Sequence, residues 1–294
     1  SGGAGGAGGA GGSGGSGGEG GSGGSGGGTP ATLRVVAANL TSGNFQSYDP
    51  GHGIRILQGV QADLLLVQEL RYGNNSAGAL RSFTDAVCGA DCDVVREPFT
   101  TNGDLPNAVI SRYPIIASGE WDDPQVSNRD FVWARIDVPG DRDLWAVSVH
   151  FLTTSANNRN LEASALLAYL TSVVPESDLV VLGGDFNTDV REEAAVNTLS
   201  AYFRTGAPWP VDGLDNGGTN ANRSKPYDWI VADDELDPLG VPVTIGAASF
   251  LNGLVVDTRI YTPIADLAPA LTGDSGAPSM QHMAVVRDFT LPAN

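Results

Sequence analysis

The sequence predicts an α/β (α+β) domain in which two packed sheets are flanked by helices. Two observations predict it. Short apolar runs bounded by turn residues recur from Thr32 to the C-terminus, and only one segment keeps a clear helical period. Length agrees: residues 1–28 hold 19 of the 40 glycines, and residues 29–294 have ordinary globular composition and are numerous enough to bury a core.

In chain order, 33–40 (LRVVAANL) reads as a buried strand, 53–61 as a short helix and 62–70 (ADLLLVQEL) as a second strand. A helix over 77–88 precedes strands at 94–97 and 108–111. Further strands fit 132–138 and 144–152. The helical period is clearest over 158–174, where Leu161, Ala165, Leu166, Ala168, Tyr169 and Leu170 supply an apolar face. Next come a strand at 179–185 (LVVLGGD), a helix at 191–200, and strands at 227–231, 243–250 and 282–291. No internal repeat is visible.

Composition excludes several chemistries. Asp+Glu number 34 against 16 Lys+Arg, for a net charge of −18. Such a surface repels nucleic-acid phosphates and anionic membranes at long range, leaving only a local, cation-bridged contact for a phosphodiester. The single lysine, Lys225, lies outside any GxxxxGK[ST] pattern, so a nucleotide cofactor and Schiff-base chemistry are not expected. No apolar run reaches the roughly 18 residues of a membrane helix. Two cysteines cannot form a four-cysteine metal site. Cys88 and Cys92 stand four apart at a helix end, where a disulfide would be worth about 2 kcal/mol in an oxidising compartment; the alternative is a pair of free buried thiols.

The Gly, Ser and Ala tract cannot bury apolar surface, so residues 1–30 are expected to be a disordered tether ahead of a folded domain at 31–294. The chain begins at Ser1 rather than Met. The expectation is an exported protein, secreted or held at a surface, and a lipid-modified cysteine before Ser1 would suit the tether.

Polar residues stand where the apolar runs end. Asn39 closes LRVVAAN, Glu69 closes ADLLLVQE, His150 closes LWAVSVH, and Asp185 and Asn187 close LVVLGGDFN. Asp228 opens DWIV and His282 opens HMAVV. Any one of these alone reads as a strand cap. If the strand ends share a rim, they form a metal-and-histidine site.

The ordered set resembles the endonuclease/exonuclease/phosphatase superfamily, and within it the pancreatic-type deoxyribonuclease I branch. Its pieces are the Asn39 strand, VQELR with Glu69 and Arg71, VVREP with Glu97, NAVISRYPI, SNRD with Arg129, SVHFLT with His150, GGDFNTD, YDWIV and the final QH pair. The resemblance implies a four-layer sandwich of two packed mixed β-sheets flanked by helices. It also implies hydrolysis of a phosphodiester with Mg²⁺ or Mn²⁺, whose hard character suits oxygen ligands, and it allows a structural Ca²⁺. Asn39, Glu69 and Gln281 fall at its metal positions. Asp185 would orient water, and Asn187, Arg71 and Arg129 would bind the phosphate or the scissile strand; an arginine fork holds phosphate bidentately. Asp228 would partner His282 as water activator, and Glu97 would partner His150 as the acid for the leaving group.

One position departs from the pattern: Gln281 stands where the family has Asp, removing a charge from the metal and phosphate network. Two features resemble other sites. GDSGAP at 273–278 is close to a serine-protease motif, but Ser275 lacks the accompanying histidine and aspartate set and reads as a loop residue, as does His52. The leading expectation is a monomeric, exported endonuclease acting on DNA, with RNA a secondary candidate. Its rivals are a phosphodiesterase or phosphatase for phospholipid headgroups or small phosphoesters, and a non-catalytic surface module of the same fold.

Overall fold

The computed structural model describes residues 30–41 and 51–292, so the glycine tract expected to serve as a tether lies outside the described residues. The elements run β1 (Ala31–Asn39), α1 (His52–Val60), β2 (Leu64–Gln68), α2 (Ala77–Val87), β3 (Asp93–Arg96), β4 (Ala108–Ser111), β5 (Ile115–Trp121), β6 (Phe131–Ile136) and β7 (Leu144–His150). They continue with α3 (Ala156–Val173), β8 (Leu179–Asp185), α4 (Ala194–Leu199), β9 (Asp228–Ala232), β10 (Gly240–Val241), β11 (Val243–Ile245), β12 (Ala248–Phe250), β13 (Leu254–Val256) and β14 (Ala284–Leu291).

One sheet has the order β10-β14-β1-β2-β4-β3, with β13 also paired to β14; the other has the order β5-β6-β7-β8-β9. β1 with β2 and β7 with β8 are parallel, and the remaining pairings are antiparallel, so both sheets are mixed. The layering comes from the two-residue period of strands. Leu33, Val35 and Ala37 of β1 pack with Val132, Ala134 and Ile136 of β6 in the core between the sheets. Val36 and Ala38 point the other way, into a core with Ile54 and Leu57 of α1 and Phe83 of α2. On the far side Val147 and Leu182 meet Ala163, Leu166 and Leu170 of α3 and Leu199 of α4. The result is helix, sheet, sheet, helix.

Several elements differ from the sequence reading for identifiable reasons. β5 is an edge strand, largely exposed along its middle, and so lacks the apolar run that marks its neighbours. The strand expected at 243–250 is two three-residue strands, β11 and β12, folded back at Gly246, whose φ of 57° favours glycine. β10 and β13 are too short to show a period. In α3 the buried face is Arg159, Glu162, Ala163, Leu166 and Leu170, while Leu161 is 45% exposed. Two charged residues occupy the inner face because each finds partners there. Arg159 pairs with Glu193 at 2.8 Å, and both carboxylate oxygens of Glu162 accept the Leu152 N–H. The Cys88–Cys92 disulfide is formed just past α2. No helix among the described residues is long and apolar enough to cross a membrane.

Candidate active site

Strand register assembles the centre of the site. His150, the last residue of β7, is the lateral partner of Asp185 in β8, and Asp185 is the partner of Asp228 in β9. Three chemically active side chains therefore form one row across the end of the five-stranded sheet. In the other sheet Asn39 pairs with Gln68 at the ends of β1 and β2, and Glu69 comes next with a φ of 56°, turning the chain out of the strand. His282 precedes β14 and bridges to Asn220. The neighbouring Thr219 accepts the Asp228 N–H through Oγ1 at 2.7 Å and the Met283 N–H through its carbonyl at 2.7 Å.

Two glycines let the rows meet. A Cβ on Gly183 would lie 2.7 Å from Leu66 Cδ1, so glycine here permits the sheets to close on each other. Gly184 has a φ of 144°, and a Cβ there would lie 2.0 Å from the Val149 carbonyl oxygen. Beside them Gln68 Nε2 donates to Ser148 Oγ at 2.8 Å, and Ser148 Oγ donates to the Val67 carbonyl at 3.0 Å, a buried polar link between the sheets.

Asp185 Oδ2 is the hub of the site. Asn39 Nδ2 donates to it at 2.9 Å, His150 Nε2 lies 3.3 Å away and His282 Nε2 3.6 Å away. Asp185 Oδ1 accepts the Asn187 N–H at 2.8 Å. Asn39 Nδ2 also faces Glu69 Oε1 at 3.3 Å, and His282 Nδ1 meets Asp228 Oδ2 at 3.0 Å. All six of Asn39, Glu69, His150, Asp185, Asp228 and His282 are buried.

Burial pushes Asp185 up to about 7, against the pull of the His282 cation and with Asp228 adding repulsion. Burial also acts to lower His282, but Asp228 and Asp185 outweigh it and carry the imidazole up to about 9. His150 goes the other way: burial, then the positive charges of Arg129 and His282, hold it well below the usual imidazole range. In the metal-free site these shifts favour the proton on His282 over His150.

The donor set suits a hard divalent cation. Asp185, Asp228 and His282 each place a ligand atom within 4.8 Å of the others, and Glu69 stands on the far side of the Asn39 amide. Three buried carboxylates with one histidine leave negative charge that a dication would neutralise. Asp185, Asp228 and His282 are the residues whose ligand atoms converge to hold it, with Glu69 adjacent across the Asn39 amide. Asn39 does not present oxygen to this cluster: its Oδ1 accepts the Thr41 N–H at 2.8 Å, so Nδ2 faces the carboxylates and ties Glu69 to Asp185. Gln281 is exposed, with its backbone N–H 3.4 Å from Thr41 Oγ1.

The remaining expected residues divide. The structure does not bring Glu97 to His150. The Glu97 carboxylate accepts the backbone N–H groups of Asn107 and Asp130, burial pushes it up to about 8, and His150 Nδ1 is buried with no hydrogen-bond partner among the described residues. Glu97 instead clusters with Glu120 and Asp130, a second acidic group. Arg129 is buried and holds main chain, donating to the His150 carbonyl at 2.5 Å and the Phe151 carbonyl at 3.2 Å. Asn187 has its Nδ2 on the Phe151 carbonyl at 2.9 Å. Arg71 lies over the Phe99 ring at 5.3 Å. Ser275 is buried and exchanges hydrogen bonds with Thr258, while His52 meets Asp274 at 3.0 Å, so no serine triad forms there.

The sequence reading missed a buried support. Arg159 donates to Glu193 through Nε and Nη2 and to the carbonyls of Leu152 and Thr153 through Nη1. Glu193 also accepts the Asp189 N–H at 2.5 Å. The pair thus ties the segment after His150 to the segment after Asn187. Nothing in the local sequence pattern marks it, since Arg and Glu on a helix and in a loop ordinarily face water.

Residues 16–254 match the Endonuclease/Exonuclease/phosphatase family. No curated protein matches significantly. Among solved structures, an endonuclease/exonuclease/phosphatase family protein from Bacteroides thetaiotaomicron superposes with a TM-score of 0.60 at 14% identity, covering 90% of this chain and 99% of that one. Truncated Caenorhabditis elegans TDP2 gives a TM-score of 0.60 at 12% identity, covering 88% and 97%. The endonuclease/exonuclease/phosphatase from Beutenbergia cavernae gives 0.57 at 18% identity, covering 89% and 72%. At such identities these likenesses establish the fold, and the family match, spanning most of the sequence, establishes membership: the chain belongs to the endonuclease/exonuclease/phosphatase family.

Proposed function

We propose that the chain is an exported, divalent-cation-dependent phosphodiester hydrolase of the deoxyribonuclease I type, cleaving DNA as an endonuclease. The observation that carries this reading is the convergence of Glu69, Asn39, Asp185, His150 and the His282–Asp228 pair where the two sheets meet. A phosphodiester is anionic and resists attack by water. A bound Mg²⁺ or Mn²⁺ would neutralise charge on the phosphate, an effect of several kcal/mol.

The chain's own residues supply the rest. Asp228 fixes the His282 ring through Nδ1, leaving Nε2 directed at Asp185 as the proton-carrying atom. Asp185 lies within reach of both imidazoles and can orient a water between them. His150, kept neutral, offers Nε2 as an acceptor. Arg129 and Glu162 fix the chain around His150–Leu152, so the ring's approach to Asp185 is set by backbone rather than by contact with substrate. The disulfide supports an oxidising location, and thereby export.

A charge of −18 favours the second reading, hydrolysis of a phospholipid headgroup or small phosphoester, because it opposes a broad grip on a polyanion. Cleavage of supercoiled plasmid with Mg²⁺ and Mn²⁺, against EDTA and against His282→Ala, separates the two. Metal-dependent nicking lost in the variant supports the endonuclease. Absence of nicking by folded protein, with turnover of a small phosphodiester or a headgroup, replaces it by the second reading.

A further inference from the structure

A cavity of about 600 Å³ opens between β9 at the edge of the five-stranded sheet and β14 of the other sheet. It shares only Asp228 with the catalytic cluster. Its lining is unusual for a chain of net charge −18: Arg191, Arg204 and Arg287 face it together with the apolar surfaces of Phe203, Trp209 and Leu251. Two of these arginines are already neutralised. Arg204 pairs with Asp234 at 2.7 Å, and Arg287 pairs with Asp237 at 2.8 Å. The carboxylates along the cavity are engaged too, Asp228 with His282 and Asp288 with Arg34.

Arg191 differs. It makes no ion pair among the described residues. Its guanidinium lies 4.3 Å over the Trp229 ring and 5.2 Å from the Trp209 ring, and Nη2 donates to the Gly217 carbonyl at 2.8 Å. Stacking uses the faces of the fork and leaves its edge. Nε and Nη1 have no protein acceptor among the described residues. Burial lowers the group to about 10, so the cation is partly desolvated yet still charged at neutral pH. A desolvated arginine edge pairs best with a planar or tetrahedral oxyanion, two hydrogen bonds at once. The cavity is far larger than one such anion, and Phe203, Trp209 and Leu251 give it an apolar wall beside its polar lining.

We propose that this cavity binds an organic oxyanion, a phosphate or carboxylate head on the free edge of Arg191 with an aromatic or apolar body against Trp209, Phe203 and Leu251. The chain has five tryptophans, and only Trp209 and Trp229 line the cavity, which gives a local readout. The test titrates phenyl phosphate and benzoate into ¹⁵N-labelled full-length protein in EDTA, following the indole N–H signals, with inorganic phosphate and phenol as the separate head and body.

The expected result is saturable movement of the Trp209 and Trp229 signals, with those of Trp121, Trp133 and Trp145 fixed. Head and body alone bind at least tenfold more weakly than the joined probe. Whichever of the two joined probes is tighter names the head group. Arg191→Gln weakens binding at least tenfold. Leu251→Asp, at a position 75% exposed and therefore safe for folding, also weakens it by placing a negative charge at the mouth. Glu69→Gln, in the catalytic cluster but away from the cavity lining, binds as the parent does. The proposal is overturned if neither probe moves these two signals at millimolar concentration, if Leu251→Asp and Arg191→Gln leave binding unchanged, or if Glu69→Gln abolishes it, which would place the probe in the catalytic cluster.

Discussion

Asn39 Nδ2 lies 2.9 Å from Asp185 Oδ2, although 146 residues separate them and they end strands of different sheets. The same nitrogen faces Glu69, so one amide holds two carboxylates that would otherwise repel. The site is thus cross-linked at its centre by a neutral donor.

Replacing that donor should be costly in a specific order. Asn39→Ala leaves Glu69 and Asp185 facing each other without a proton between them, a loss of about 1–3 kcal/mol in stability. Asn39→Asp adds a fourth carboxylate to Glu69, Asp185 and Asp228 and should destabilise more, and should raise Asp185 further. Urea denaturation of the two variants beside the parent checks the order, and both should lose turnover.

His282 should titrate near 9 in metal-free protein. Because its folded value lies above the unfolded value of about 6.5, its pairing contributes stability in full below pH 6.5 and loses it as pH rises through about 9. Asp228→Asn removes its chief partner and should bring the value down. Mg²⁺ bound beside Asp185 should also bring it down, since like charge disfavours the cation. Imidazole NMR titration with and without Mg²⁺ reads both effects.

Glu97 is a carboxyl whose folded value, about 8, lies above its usual one. The sign is therefore opposite to that of an ordinary ion-paired carboxylate. Its contribution is full below about pH 4.5 and declines as pH rises through about 8. Glu97→Gln keeps one of the two oxygens that accept the Asn107 and Asp130 N–H groups and removes the ionisation. The stability difference between parent and variant should shift in the variant's favour between pH 5 and pH 8.5, as measured by denaturant midpoints.

Gly184→Ala should damage both stability and turnover. The added methyl meets the Val149 carbonyl oxygen and Gln68 Nε2, at a backbone angle that strains any side chain. A loss of about 1–3 kcal/mol from strain alone is expected. The displacement falls between His150 and Asp185, so the rate should fall further than stability explains. Thermal unfolding with single-turnover kinetics separates the two.

Gln281 is exposed beside the site, so Gln281→Asp should fold normally and should preserve or raise metal-dependent turnover. A metal titration of activity in both proteins measures the change.

The polar ends of the apolar runs were legible because strand cores are continuous and their ends are not. Asn39, Glu69, His150, Asp185, Asp228 and His282 each interrupt or border such a run; register aligns His150, Asp185 and Asp228, and the packing of the two sheets brings the others to them. What sequence could not show was orientation and pairing. The direction of the Asn39 amide depends on Thr41 N–H, and the partner of Glu97 depends on loops at Asn107 and Asp130. The inward charges of α3 look like surface residues until Glu193 and the main chain at Leu152 are in place. β5 escaped because an edge strand shows water on its flanks.

β1 lies between β2 and β14, so the first described strand sits beside the last. Until β14 is made, one edge of β1 has no neighbour, and His282 has only just been added to the chain. A chain still being synthesised therefore lacks His282, and the strand that flanks β1, until almost its last residues are made. Assembly of the candidate site is deferred to the finished fold, so any activity that it carries begins only when β14 is complete.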